Sequence, residues 1–249
     1  MSMEKVIAER KNKKVYKEGD TVVKIFESGF TKADVLNEAL NQARVEETGL
    51  NIPKIRGVSV IDGKWAIISD YIEGKTLEEL MKEHPEKEDE YLDLFVSVQM
   101  TVHTMRSPLL PRLRDKMFRK ISLADLDPST QYDLHTRLES MPRHNKVCHG
   151  DFNPSNLIIT PEGAPYILDW SHATQGNASA DVARTYLLFC LEKRKTLAEK
   201  YLDLFVEKSG TDRRYVERWM PIVAASQSVK GNKKERDFLL SWAEVMDFE

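Results

Sequence analysis

The chain has 249 residues, 41% hydrophobic and 31% charged, with a formal net charge of −3. That is the composition of a soluble globular chain with core enough for one large domain or two lobes, and no apolar run approaches membrane-spanning length. The charge balance gives no sign of a nucleic-acid partner, although local basic patches remain compatible with it. Met1-Ser2-Met3-Glu4-Lys5 leads straight into strand-like sequence with no signal peptide visible, and two cysteines, Cys148 and Cys190, make no disulfide framework, which fits the reducing cytoplasm.

From about Glu4 to Phe26 the pattern alternates as strands do: Val6-Ile7-Ala8, then Val15-Tyr16, then Thr21 to Phe26, with Glu18-Gly19-Asp20 turning the last pair. The turn before Val15 is the basic run Glu9-Arg10-Lys11-Asn12-Lys13-Lys14. Lys24 is the one charge inside an apolar strand, and the strand alone places it on a solvated face. A helix follows from about Thr31, an N-cap, to Thr48, ended by Gly49, with Val35, Leu36, Ala39, Leu40 and Ala43 as its buried stripe. Glu38 lies off that stripe and Glu46 lies nearer to it. Val58–Ile61 and Trp65–Ile68 make a hairpin around Asp62-Gly63, leaving through Ser69-Asp70-Tyr71-Ile72-Glu73-Gly74.

Beyond Thr76 the chain turns helical: Leu77 to His84, then Tyr91 to Thr104 with Leu92, Phe95, Val96, Val98, Gln99 and Val102 toward the core. His103 reads as a packing or capping histidine. Phe118 to Met141 is further helix, broken near Asp127-Pro128. Farther on, Ser171 to Asn177 is a polar loop, Asp181 opens a helix from Val182 to Leu191, and three more helices run Thr196–Ser209, Asp212–Ser228 and Lys234–Met246.

The chemistry concentrates in Val147-Cys148-His149-Gly150-Asp151-Phe152-Asn153-Pro154-Ser155-Asn156 and in Tyr166-Ile167-Leu168-Asp169-Trp170. Gly150 and Pro154 break regular structure, and Leu157–Ile159 and Tyr166–Leu168 read as short strands around Thr160-Pro161-Glu162-Gly163. Moving a terminal phosphate needs a group that orients an acceptor hydroxyl and oxygen ligands for magnesium. Asp151 suits the first task, Asn156 and Asp169 the second. Cys148 and His149 are neighbours in an extended segment and point to opposite faces, so Cys148 reads as a buried thiol rather than a nucleophile.

On His149-Gly150-Asp151 through Asn156, on Leu168-Asp169-Trp170, and on Gly176 with Asp181-Val182-Ala183-Arg184, the chain resembles the aminoglycoside phosphotransferase and choline kinase families, small-molecule relatives of the protein kinases. The resemblance implies an α+β, bilobal protein-kinase-like fold. A small antiparallel-sheet N-lobe with one helix (1–72) would bind nucleotide, and a larger, mainly helical C-lobe (73–249) would carry catalysis and acceptor binding. Lys24 would clamp the phosphates, Glu38 orient Lys24, the hinge Asp70, Tyr71 and Ile72 meet the base through backbone groups, and Asp181 prop the catalytic loop. The first hairpin departs from the pattern by having no glycine: either its basic side chains reach phosphate or the turn is simply solvated.

The implied reaction is transfer of phosphate from ATP or GTP, with Mg2+, to a hydroxyl of an aminoglycoside, choline-like amine, amino alcohol or sugar in the cytoplasm, with no nucleic acid or membrane and the protein partner open. Alternatives are a nucleotide-binding pseudokinase acting through a partner, an adenylyl-transferring relative, and, disfavoured by the eleven residues between Asp169 and Asp181, a protein kinase. For the acceptor, a polycation would want Glu192, Asp203, Glu207 and Glu244, and a quaternary amine Tyr215, Trp219 and Trp242. Both sets read more simply as surface charge and core aromatics.

Overall fold

A tight turn at Asp62 (φ 48°) and Gly63 (φ 74°) sets the register of one edge of the first sheet. Two successive left-handed residues match the twist of paired strands, which is why an Asp-Gly pair sits there. The computed structural model describes residues 5–10, 12–27 and 29–243. Glu4, Lys11, Glu244 and Met246 lie outside them. The antiparallel sheet has strands β1 (Lys5–Arg10), β2 (Lys13–Glu18), β3 (Thr21–Phe26), β4 (Ile55–Ile61) and β5 (Lys64–Asp70) in the order β1-β2-β3-β5-β4.

Helix α1 (Lys32–Glu46) covers one face, started by a reciprocal cap in which Thr31 accepts from the Asp34 amide and Asp34 from the Thr31 amide. Phe26, Val35, Ala39 and Ile67 form the core beneath it, and Val23, Ile25 and Ala66 pack on the other face. Strand alternation therefore puts Lys24 on the α1 side with Phe26. The helix is not turned as its apolar stripe suggests: Leu36 and Leu40 are exposed, while Glu38 and Asn41 are buried beside Val35, Ala39 and Val45. Polar tasks under the helix account for the rotation. Asn41 donates to the Ser171 carbonyl, 3.4 Å, and Glu38 receives two lysines. Glu46 caps the amide of Ile55 at 2.6 Å.

The contacts divide the chain into two units, Met1–Pro85 with Pro154–Ala173, and Glu86–Asn153 with Thr174–Glu249. The segment 154–173 joins the first unit because β8 (Leu157–Ile159) and β9 (Pro165–Ile167) form a three-stranded sheet with β6 (Lys75–Thr76). Gly74 makes that approach feasible: its φ is 152°, and a Cβ there would collide with the Ile159 carbonyl. Helix α2 (Leu77–Glu83) completes the unit, capped by Thr76 and Glu79.

The second unit holds α3 (Glu88–Thr104), α4 (Leu113–Ile121), α5 (Pro128–Ser140), α6 (Ala178–Leu191), α7 (Lys195–Ser209), α8 (Arg213–Glu217), α9 (Met220–Ser228) and α10 (Lys233–Ala243), with a ribbon of β7 (Lys146–Cys148) and β10 (Thr174–Gly176). Phe95, Phe152, Phe189 and Tyr201 meet in its core, Phe95 and Phe152 with ring centroids 4.6 Å apart. All six core-side residues expected on α3 are buried. Several boundaries differ from expectation: α3 begins at Glu88 and not Tyr91, and α4 at Leu113 and not Phe118. The polar loop contains β10, α6 begins at an Asn177 cap before Asp181, and the helix expected over 212–228 breaks at Arg218–Trp219, where Pro221 enters the first turn of α9. No helix among the described residues is long and apolar enough to cross a membrane.

Candidate active site

The first unit encloses a cavity of about 360 Å³. On its polar side β3 and α1 bring Lys24 Nζ to 2.5 Å from Glu38 Oε1, and β2 brings Lys13 Nζ to 2.8 Å from Glu38 Oε2. The register explains the meeting: Lys13 lies opposite Phe26 on β3, so Lys13, Lys24 and Phe26 share one face of the sheet. The Lys13 ammonium also stands 4.9 Å from the Phe26 ring centre. Its pKa is held below the usual lysine value, first by burial and then by the Lys24 charge, against the pull of Glu38.

Asp169 and Asn156 line the same cavity. Asp169 has a left-handed backbone, φ 57° and ψ 67°, which few residues other than Gly, Asn and Asp adopt. Its neighbours hold it so: the Leu168 amide donates to the Asn156 carbonyl at 2.8 Å, and the fully buried Trp170 donates Nε1–H to the Ile167 carbonyl at 3.1 Å. The carboxylate lies 3.7 Å from Lys24 Nζ, and the Asn156 side chain is buried.

Asp70, Tyr71 and Ile72 border the cavity at the end of β5. The Asp70 amide is taken by the Lys54 carbonyl at 3.0 Å and the Tyr71 amide by the Asp20 carbonyl at 2.8 Å, while the Asp70 carboxylate bonds Arg56 at 2.5 Å. The Ile72 amide donates to no protein acceptor among the described residues.

Asp151 belongs to the second unit, and α6 organises its loop. The Asp181 carboxylate accepts from the His149 amide at 3.0 Å, the Gly150 amide at 2.7 Å and His103 Nε2 at 3.0 Å. A carboxylate only accepts, so Nε2 of His103 carries the proton. Burial raises the Asp181 pKa, but the bond and charge of His103, the His149 ring and the Gly150 amide outweigh it and hold the carboxyl below its usual range. Gly150 has φ 80°. One turn on, Arg184 Nη2 lies 3.4 Å from Asp151 Oδ1, and Thr185 donates to the Phe152 carbonyl at 2.9 Å. Residues 181, 184 and 185 share one helix face, a spacing visible in the sequence once Asp181 is placed on a helix. Arg184, Thr185 and His103 are site residues that the motif reading did not assign, and Lys13 went undistinguished within its basic run.

A model of the phosphotransferase enzyme family matches residues 6–217. The chain belongs to that family. No curated protein matches the sequence. Among solved structures, this phosphotransferase is similar to a thermostable mutant of aminoglycoside phosphotransferase APH(4)-Ia in ternary complex with AMP-PNP and hygromycin B, at 16% identity, TM-score 0.70, over 96% of this chain and 91% of that one. Choline kinase LicA from Streptococcus pneumoniae follows at 16% identity, TM-score 0.64, over 98% and 92%. A choline/ethanolamine kinase family protein from Mesorhizobium loti has 14% identity, TM-score 0.64, over 97% and 88%. The phosphotransferase thus has the α+β kinase-like fold, antiparallel sheet first and helices after.

Two details of the phosphotransferase bear on ligands. No group of three or more His, Cys, Asp or Glu able to hold a metal occurs among the described residues. One carboxylate and one carboxamide, tied by the Leu168 amide, match magnesium, which keeps waters and takes its other oxygens from phosphates. Of the residues weighed for an acceptor, Asp203 is taken up by Arg213, Trp219 is buried, Trp242 packs edge-on to Tyr186, and Asn177 donates to the Tyr215 hydroxyl at 2.5 Å. No two of Tyr215, Trp219 and Trp242 are in ring contact with each other among the described residues. Cys148 is a buried free thiol whose pKa burial pushes well up, as a packing residue requires.

Proposed function

We propose that this phosphotransferase moves the terminal phosphate of ATP or GTP, with magnesium, onto a hydroxyl of a small molecule. The observation that carries the reading is the grouping of Lys24, Glu38, Asn156 and Asp169 around one cavity. Ile72, with its uncommitted amide, would receive the nucleobase alongside the backbone of Asp70 and Tyr71. Lys24, steered by Glu38, would hold the phosphates, with Lys13 as a second cation replacing the amides of a glycine-rich loop. Asn156 and Asp169 would hold magnesium, which when bound neutralises charge on the phosphates being parted. Asp151, its loop fixed by Asp181 and its carboxylate oriented by Arg184, would accept the proton of the acceptor hydroxyl. Nucleotides in the complexes of similar proteins, AMP-PNP with APH(4)-Ia and AMP with LicA, support the choice of donor class. Free cysteines fit a reducing compartment, and we assign the reaction to the cytoplasm.

Asp151→Asn tests the assignment. Turnover is expected to fall by about 100- to 10,000-fold, the usual worth of a positioned base, with nucleotide binding retained. Wild-type turnover in the variant refutes the role of Asp151. Nucleotide binding with no transfer by the wild type would instead favour a protein that signals through a partner.

A further inference from the structure

We infer that Tyr201 and Gln99 are positioning residues for Asp151, acting through Thr185 on the Phe152 carbonyl. This rests on the reading of Asp151 as the base.

Three helices of the second unit each bring a polar side chain into its aromatic core. The Tyr201 hydroxyl of α7 donates to Gln99 Oε1 of α3 at 2.5 Å, Gln99 Nε2 donates to Thr185 Oγ1 of α6 at 3.2 Å, and Thr185 donates to the Phe152 carbonyl at 2.9 Å. All four residues are fully buried. The donors point one way, out of reach of water, and the run ends on the peptide that follows Asp151.

The direction is fixed at the far end. A buried phenol hydroxyl has to find an acceptor, and burial pushes the Tyr201 pKa well up, so its proton stays. With Oε1 engaged by Tyr201, the Gln99 amide turns its NH2 group to Thr185. The single proton of the Thr185 hydroxyl then goes to the Phe152 carbonyl. Turned over, the amide would offer Oε1 to Thr185 and draw that proton away from the backbone.

Asp151 stands between two anchors on one helix. The Gly150 amide before it is taken by Asp181 at 2.7 Å, and the Phe152 carbonyl after it by Thr185, one turn farther along α6. His103 braces the first anchor from α3, and Gln99 with Tyr201 braces the second. The rings already fill the space: Phe95 packs on Phe152 and Tyr201 with centroids 4.6 and 5.8 Å away, and Phe189 meets Tyr201 at 5.6 Å. Ring packing holds the Phe152 side chain, and the hydrogen-bonded run sets the rotation of its peptide.

The test uses full-length wild type, Tyr201→Phe, Thr185→Val and Thr185→Ser. Tyr201→Phe keeps the ring and removes only the hydroxyl; should Thr185→Val fail to fold, Tyr201→Phe alone decides. Amide exchange over His149–Asn153 is expected to quicken about ten-fold in Tyr201→Phe and Thr185→Val, the scale of one lost buried hydrogen bond, while Thr185→Ser stays near wild type. ADP release from magnesium ATP, with glycerol, choline and hygromycin B supplied in turn, should fall in kcat by a similar factor at unchanged KM for ATP. Unchanged loop exchange in Tyr201→Phe, equal quickening throughout the second unit, or a loosened loop with wild-type kcat overturns the inference. Absence of ADP binding and release in the wild type would count against the phosphotransfer reading, and loop exchange would still judge the run from Tyr201 to Phe152.

Discussion

Glu38 answers two ammonium groups with one carboxylate, and Asp169 stands 3.7 Å from one of them, Lys24. The Lys13 pKa stays lowered even so, by burial first and then by the Lys24 charge. Lys13→Ala is therefore expected to raise the KM for ATP about ten-fold, equivalent to about 1.4 kcal/mol, with a smaller change in kcat. Lys24→Ala should lower both kcat and kcat/KM, since Lys24 also contacts Asp169. Steady-state kinetics on the two variants separate these outcomes, and an unchanged KM in Lys13→Ala would mark the first turn as solvated. Lys24 was legible only through the family pattern, because a lone strand lysine says nothing of its face. Glu38 was invisible to periodicity, since α1 buries polar groups where the apolar stripe predicted leucines. Lys13 could not be told from its basic neighbours until the pairing of β2 with β3 placed it beside Lys24.

Two helices do most of the arranging in the second unit. Helix α6 holds the loop 149–152 from Asp181, Arg184 and Thr185, a single face over one turn. Helix α4 carries Lys116 and Lys120, whose depressed pKa values imply a pH signature. An unfolded chain binds more protons on these lysines than the folded one between their lowered values and about 10.4, so stability rises with pH in that window. From pH 7 to 8 Lys120, lowered to about 7 by burial first and then by Lys116, should add on the order of 1 kcal/mol relative to Lys120→Gln. Paired denaturation curves at the two pH values test this, and parallel behaviour of wild type and variant would contradict it. The strongly periodic α3 was readable from Tyr91 to its end, while its first turn, rich in acidic residues, was not. The three-residue strands β7 and β10 were not, because such strands exist only through each other. The break between α8 and α9 depended on Pro221, which sequence reading passed over within a long apolar run.

At the scale of the whole chain, the cavity proposed for nucleotide is lined entirely from the first unit, including the segment 154–173 that the chain supplies after a long excursion. ADP with magnesium should slow amide exchange around Tyr71–Gly74 and Leu157–Asp169 and leave α9 and α10 unchanged. At 100 times its Kd it should add about 2.7 kcal/mol of stability. Exchange mass spectrometry checks the first statement and a denaturant titration the second; protection confined to α9 and α10 would contradict a nucleotide site in the first unit. The left-handed backbone of Asp169 has a practical consequence of its own. Alanine there would disturb the turn as well as the charge, confounding an inactive phenotype with misfolding. Asparagine tolerates the same φ and ψ, keeps the side-chain shape and removes only the negative charge. Asp169→Asn is thus the form in which a stalled complex, donor and acceptor together, is best sought.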